Sequence, residues 1–80
     1  MWYYIEYNSI IGILMKFQER FLLELKHSLL SQKELAEKLN IDVSNITKWK
    51  QGKSIPSLEV FYELCKIFDV SADYLLGLID

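Results

Sequence analysis

The stretch from Ser31 to Gly52, SQKELAEKLNIDVSNITKWKQG, constrains the fold most, because its starts and stops leave room only for two short helices and a tight turn. Ser31 is followed three residues later by Glu34, the spacing at which hydroxyl and carboxylate satisfy each other's free backbone N–H groups. Leu30 and Leu35 straddle that start as a hydrophobic staple. Asp42 is placed to cap a second helix, flanked by Ile41 and Ile46 in the same relation, and its charge suits the positive end of the helix dipole. Asn40 and Gly52 stand where each helix must end in a left-handed residue. The connection Asn40-Ile41-Asp42 is therefore short, and the two helices meet at a steep angle.

Helical signals continue on both sides. Phe17, Phe21 and Leu25 recur at four-residue steps, predicting a helix from Met15 to about Ser28 with Leu22 and Leu29 widening its apolar stripe. After the loop Lys53-Ser54-Ile55, Pro56 marks the entry to a helix from about Ser57 to Phe68 that buries Leu58, Phe61, Leu64, Cys65 and Phe68. Ser71, with Val70 and Leu75 as a staple, opens a last helix from Ala72 to about Leu76, stopped by Gly77. The first fourteen residues, MWYYIEYNSIIGIL, differ in character: WYYIEY favours a short strand on propensity, and Asn8-Ser9 fits a turn or a cap. Such a segment either packs on its own domain or pairs with a second copy, since a lone strand rich in Tyr and Trp is an adhesive edge.

Eighty residues, 51% of them hydrophobic, suit one small domain. The expected organisation is an aromatic extension over residues 1–14 and an all-α domain over residues 15–80. A single cysteine, Cys65, excludes an intramolecular disulfide and any multi-cysteine zinc site, and its apolar helical setting predicts a buried structural thiol. His27 is the only histidine, and no glycine-rich phosphate loop or paired carboxylates occur, so neither catalysis, nor a metal, nor a cofactor, nor a small-molecule ligand is expected. No run approaches the roughly 18 to 20 apolar residues of a membrane span. The apolar start lacks the basic residues and cleavage site of a signal peptide, so a cytoplasmic protein is expected.

The net charge of −2 conceals an uneven distribution. Residues 32–53 carry five Lys against three acids, whereas residues 54–80 carry one Lys against five acids. From Val43 to Leu58 there are three Lys and no acid. At about 100° per residue, Ile46 and Trp49 fall on the inner side of the helix over 43–51, and Ser44, Thr47, Lys48 and Gln51 on the outer side, with Asn45 lateral. An inner anchor with an outer face of donors and acceptors suits recognition of base edges in a DNA major groove.

The order of these residues resembles the lambda-repressor-like, or Cro/XRE-type, helix-turn-helix family. The resemblance is carried by Ser31-Gln32, Leu35-Ala36, Leu39, Ile46, Trp49, Gly52, Pro56-Ser57-Leu58, Val70-Ser71 and Leu75, and upstream by Phe17-Gln18-Glu19-Arg20-Phe21. It implies five helices, with the second and third forming a unit that binds double-stranded DNA, usually as a homodimer on a palindromic operator. By position, Val43, Ser44 and Lys48 would read bases, with Asn45 and Thr47 beside them. Gln32 would lie over a phosphate and buttress the reading helix, while Gln51, Lys53 and Ser54 would hold the backbone. The chain departs from the family pattern at Leu29 and Asn40, where glycine is usual, and at Lys50, where glutamate is common. Val43 offers no hydrogen bond and would read an apolar feature such as a thymine methyl.

The resemblance implies a sequence-specific transcriptional regulator, expected to be a repressor. The competing expectation is a protein-interaction module, an antitoxin or adaptor on the same fold, motivated by the acidic balance and the aromatic start. Met15 stands where family members often begin, making it a candidate natural start that the mass of the native protein would decide.

Overall fold

Five helices account for the regular structure of the described residues: α1 (Trp2–Ser28), α2 (Gln32–Leu39), α3 (Val43–Lys50), α4 (Leu58–Phe68) and α5 (Ala72–Leu76). The structure, a computed structural model, describes the backbone of residues 2–80 and the side chains of residue 12 and residues 14–80.

The caps act as the sequence requires. Ser31 Oγ accepts from the Glu34 N–H at 3.0 Å while Glu34 Oε1 accepts from the Ser31 N–H at 2.9 Å, closing a capping box at the start of α2. Asp42 Oδ1 accepts from the Ser44 N–H at 2.8 Å to open α3, and Ser71 Oγ accepts from the Tyr74 N–H at 3.1 Å to open α5. A fourth cap escaped the sequence reading: Ser57 Oγ accepts from the Val60 N–H, so Ser57 precedes α4 rather than beginning it.

The ends of α2, α3, α4 and α5 share one geometry. Left-handed backbone occurs at Asn40, Gly52, Asp69 and Gly77, and in each case the next N–H reaches back five residues, as from Ile41 to the Ala36 carbonyl at 3.0 Å. This closure satisfies carbonyls that a helix end would otherwise leave open. Asn40 thus performs the turn that glycine would make more easily. Leu29 is also left-handed, at φ 62°, but has neither glycine's freedom nor a local polar side chain to offset the strain.

The core is the convergence of these helices. Phe17, Phe21, Leu35, Ile46, Leu64 and Leu75 are the largest fully buried side chains, and Trp49 stands edge-on to Phe17 and Phe21 with ring centroids 6.3 and 5.6 Å away. Edge-to-face aromatic contacts add about 0.5–1.5 kcal/mol beyond their burial. The staple residues Leu30, Ile41 and Val70 are half-buried against this cluster.

Several expectations are corrected. The strand expected for WYYIEY is replaced by helix, which runs unbroken from Trp2 through the expected boundary at Met15. A strand needs a neighbour for its backbone hydrogen bonds, and the described residues provide none; extending a helix already nucleated by its buried half satisfies each N–H within the chain. Leu58 is 84% exposed instead of buried, because it starts α4 one turn ahead of Phe61 and lines a hollow without filling it. Leu22 and Leu29 do not widen the core stripe, being 39% and 90% exposed. Cys65 is half-buried and unpaired, and burial pushes its thiol above the ordinary range.

Candidate nucleic-acid interface

α3 is fixed at its start, its inner face and its end. At the start, Asp42 caps the Ser44 N–H and Asn45 Nδ2 donates to the Asp42 carbonyl at 3.2 Å. That backbone N–H holds the Asp42 carboxyl below its usual range, with a smaller contribution from the Lys48 charge. On the inner face Ile46 and Trp49 are buried, at 0% and 3% exposure. At the end, Gln18 Nε2 on α1 donates to the Lys50 carbonyl at 2.8 Å, and Lys50 Nζ donates to Gln32 Oε1 on α2 at 3.2 Å. Three elements therefore set the orientation of eight residues.

What this leaves outward is a short face of Val43, Ser44, Thr47 and Lys48, all exposed and continued by exposed Gln51 and Lys53. Asn45 is half-buried and turned toward the start of its own helix, apart from the other four. Ser54 is half-buried and, with Asn45 and Lys48, borders a hollow of about 340 Å³ between α3 and the loop that follows it. Gln32 is half-buried at the start of α2, its side chain engaged with Lys50. Lys50 itself points sideways into that contact rather than into the outer face.

Gln18 is the positioning residue that sequence reasoning missed. Its side chain lies so close to Gly52 that a Cβ there would fall 2.8 Å from Gln18 Oε1, while Gly52 adopts φ +72°. The sequence placed it within the stretch that resembles the family and four residues from Leu14 and Leu22, neither of which reveals what it touches. Arg20, also unassigned from sequence, donates through Nη1 to the Tyr74 and Ile79 carbonyls and lies 4.6 Å over the Tyr74 ring.

Among the described residues no group of three or more His, Cys, Asp or Glu could hold a metal ion, and no helix is long and apolar enough to cross a membrane. A capped α2, a three-residue turn and an α3 anchored inward by Ile46 and Trp49 define a helix-turn-helix domain. The chain belongs to the helix-turn-helix family of the Cro/C1 type, whose family model matches residues 23–75. It is 40% identical over 47 residues to the HTH-type transcriptional regulator ImmR of Bacillus subtilis (strain 168), an alignment covering 59% of this chain and 37% of ImmR. It is also 40% identical over 48 residues to the HTH-type transcriptional activator BcrR of Enterococcus faecalis, covering 60% of this chain and 24% of BcrR. The matched segment thus spans well under half the length of either relative. No solved structure matches the chain with significance.

Proposed function

We propose that this protein regulates transcription by placing α3 in the major groove of double-stranded DNA. The observation that carries the reading is the exposed face of Val43, Ser44, Thr47 and Lys48 on a helix whose opposite side and both ends are fixed. Base recognition needs such side chains held without slack, while phosphate contacts supply register. In this reading Val43 meets an apolar base feature, Ser44 and Lys48 supply hydrogen bonds, and Thr47 and Asn45 flank them. Gln32, Gln51, Lys53 and Ser54 contact the backbone. Residues 15–80 form the DNA-binding unit, with residues 1–14 an appended segment, and the protein works in the cytoplasm without catalysis.

Only Lys48, Lys50 and Lys53 supply cationic charge between Val43 and Leu58, and Lys50 is engaged with Gln32. One domain therefore offers few phosphate contacts, and binding as a homodimer to a palindromic operator multiplies them. The names of the two relatives include an activator, so repression rests on the family resemblance alone.

Titration of labelled DNA with the wild type and Lys48→Ala at several salt concentrations tests this function. Affinity should fall steeply with salt, and the variant should bind its operator about 1 to 3 kcal/mol more weakly at an unchanged melting temperature. A second reading, a protein-interaction module such as an antitoxin or adaptor, draws on the exposed Leu58 and Tyr62, at 84% and 62%, within the acidic C-terminal third. No DNA binding even at low salt would favour it.

A further inference from the structure

We infer that Lys50 is a positioning residue for DNA binding: its ammonium holds the side-chain oxygen of Gln32 and so turns the two N–H groups of that amide toward a phosphate of the DNA backbone. The proposal rests on, and deepens, the reading of α3 as a major-groove helix with Gln32 over the backbone.

Lys50 Nζ donates to Gln32 Oε1 at 3.2 Å, joining the last residue of α3 to the first residue of α2 across 18 residues of sequence. An ammonium has three donors and no acceptor, so it meets a carboxamide only at the oxygen. Oxygen and nitrogen diverge from one planar carbon, and holding the oxygen against Lys50 turns the nitrogen away from it. A phosphate offers only acceptor oxygens and is met by donors. An acceptor at position 50 would reverse the amide. Glutamate, the residue common there in the family pattern, would draw the N–H groups inward and leave Gln32 an oxygen to present to the phosphate, which repels it. The identity of residue 50 therefore decides whether Gln32 offers the backbone a donor or an acceptor.

Lys50 is itself well placed to do this. Its carbonyl accepts from Gln18 Nε2 at 2.8 Å, so its backbone is tied to α1 while its side chain reaches α2. Lys50 and Gln32 are both half-buried, which restricts the rotamers open to each. At about 100° per residue Lys50 falls next to Val43 and Thr47, on the edge of the outer face of α3. A lysine serving only as surface charge needs no neutral amide as a partner. A hydrogen bond from a charged donor is stronger than one between neutral groups, and so holds the amide in one orientation.

Anisotropy titration of the full chain against a duplex enriched from a random DNA pool tests the proposal in a double-mutant cycle of Gln32→Ala and Lys50→Met, with melting temperatures measured alongside. Gln32→Ala should weaken binding by about 10-fold with Lys50 present, the loss expected for a hydrogen bond to a charged group, and by less than about 3-fold in the Lys50→Met background. Charge alone at Lys50 would be lost equally with either residue at position 32. Lys50→Arg, which also only donates, should keep the dependence on Gln32. Gln32→Glu separates positioning from structure. Its carboxylate pairs with Lys50, so the melting temperature should not fall, yet the oxygen it turns to the phosphate should weaken binding by about 10-fold or more. Losses that add across the cycle, or a Gln32→Glu variant that binds as the wild type does, would overturn the proposal while wild-type binding and the regulatory reading stand. A folded wild type that binds no duplex even at low salt would overturn both.

Discussion

Gln18 on α1 donates its amide hydrogen to the carbonyl of Lys50, the last residue of α3, across 2.8 Å and 32 residues of sequence. The bond satisfies a carbonyl that the helix end leaves open and ties α3 to the longest element of the fold. Gln18→Ala should cost about 1 kcal/mol, the net value of one such bond. That lowers the melting temperature by about 4–8 °C for a domain of this size. Gly52→Ala should cost at least as much, since its φ of +72° and the Gln18 oxygen 2.8 Å from a Cβ both oppose a side chain. Thermal denaturation of the two variants checks both values.

Leu29 offers the opposite opportunity. It is left-handed and 90% exposed, so its side chain contributes strain without burial. Left-handed backbone costs a non-glycine residue about 1–2 kcal/mol, and glycine's extra freedom in the unfolded chain returns about 0.5–1 of that. Leu29→Gly should therefore stabilise the protein by up to about 1 kcal/mol, seen as a higher denaturant midpoint at unchanged slope.

The start of α5 depends on one hydroxyl. Ser71→Ala removes the acceptor for the Tyr74 N–H and should cost about 1 kcal/mol. Because Tyr74 also donates to Glu24 Oε2 at 3.0 Å and underlies Arg20, the loss should be accompanied by faster amide exchange across α5 than across α2.

Acid should loosen the start of α3. The Asp42 carboxyl has its folded pKa lowered below 3.8, first by the Ser44 backbone N–H, so its stabilisation is present above that value and is lost as pH falls through the lower folded value. Asp42→Asn keeps an oxygen acceptor but does not titrate. Its melting temperature should decline less than that of the wild type between about pH 4 and pH 2. Equal declines would show that Asp42 does not couple folding to pH.

Where the sequence spoke clearly, it did so through local chemistry. Ser31 with Glu34, Asp42, Asn40 and Gly52 satisfy backbone groups within five residues of themselves, so spacing alone located α2, the turn and α3. The inward positions of Phe17, Phe21, Ile46 and Trp49 followed from helical periodicity. What could not be read depended on distant neighbours. The contact between Gln18 and Lys50 joins residues whose relation exists only once α1 crosses α3. Leu58 repeats the apolar spacing of Phe61 and Phe68, yet among the described residues it is left exposed at the start of α4. At WYYIEY, strand propensity described side chains suited to a pleated surface, but the described residues offered no strand to pair with, and helix prevailed. The outer face followed the same rule: Ser44, Thr47 and Lys48 came from periodicity and Val43 from the family resemblance, whereas the turning of Asn45 toward Asp42 and of Lys50 toward Gln32 came from neither.

The most direct test of the regulatory reading is selection of bound sequences from a random double-stranded DNA pool, run in parallel with wild-type protein and Lys48→Ala. The wild type should enrich one motif with two-fold symmetry, and Lys48→Ala should lose preference at one base position in each half-site. Failure of the wild type to enrich any sequence at low salt, with the protein folded by circular dichroism, would contradict the placement of α3 in the major groove.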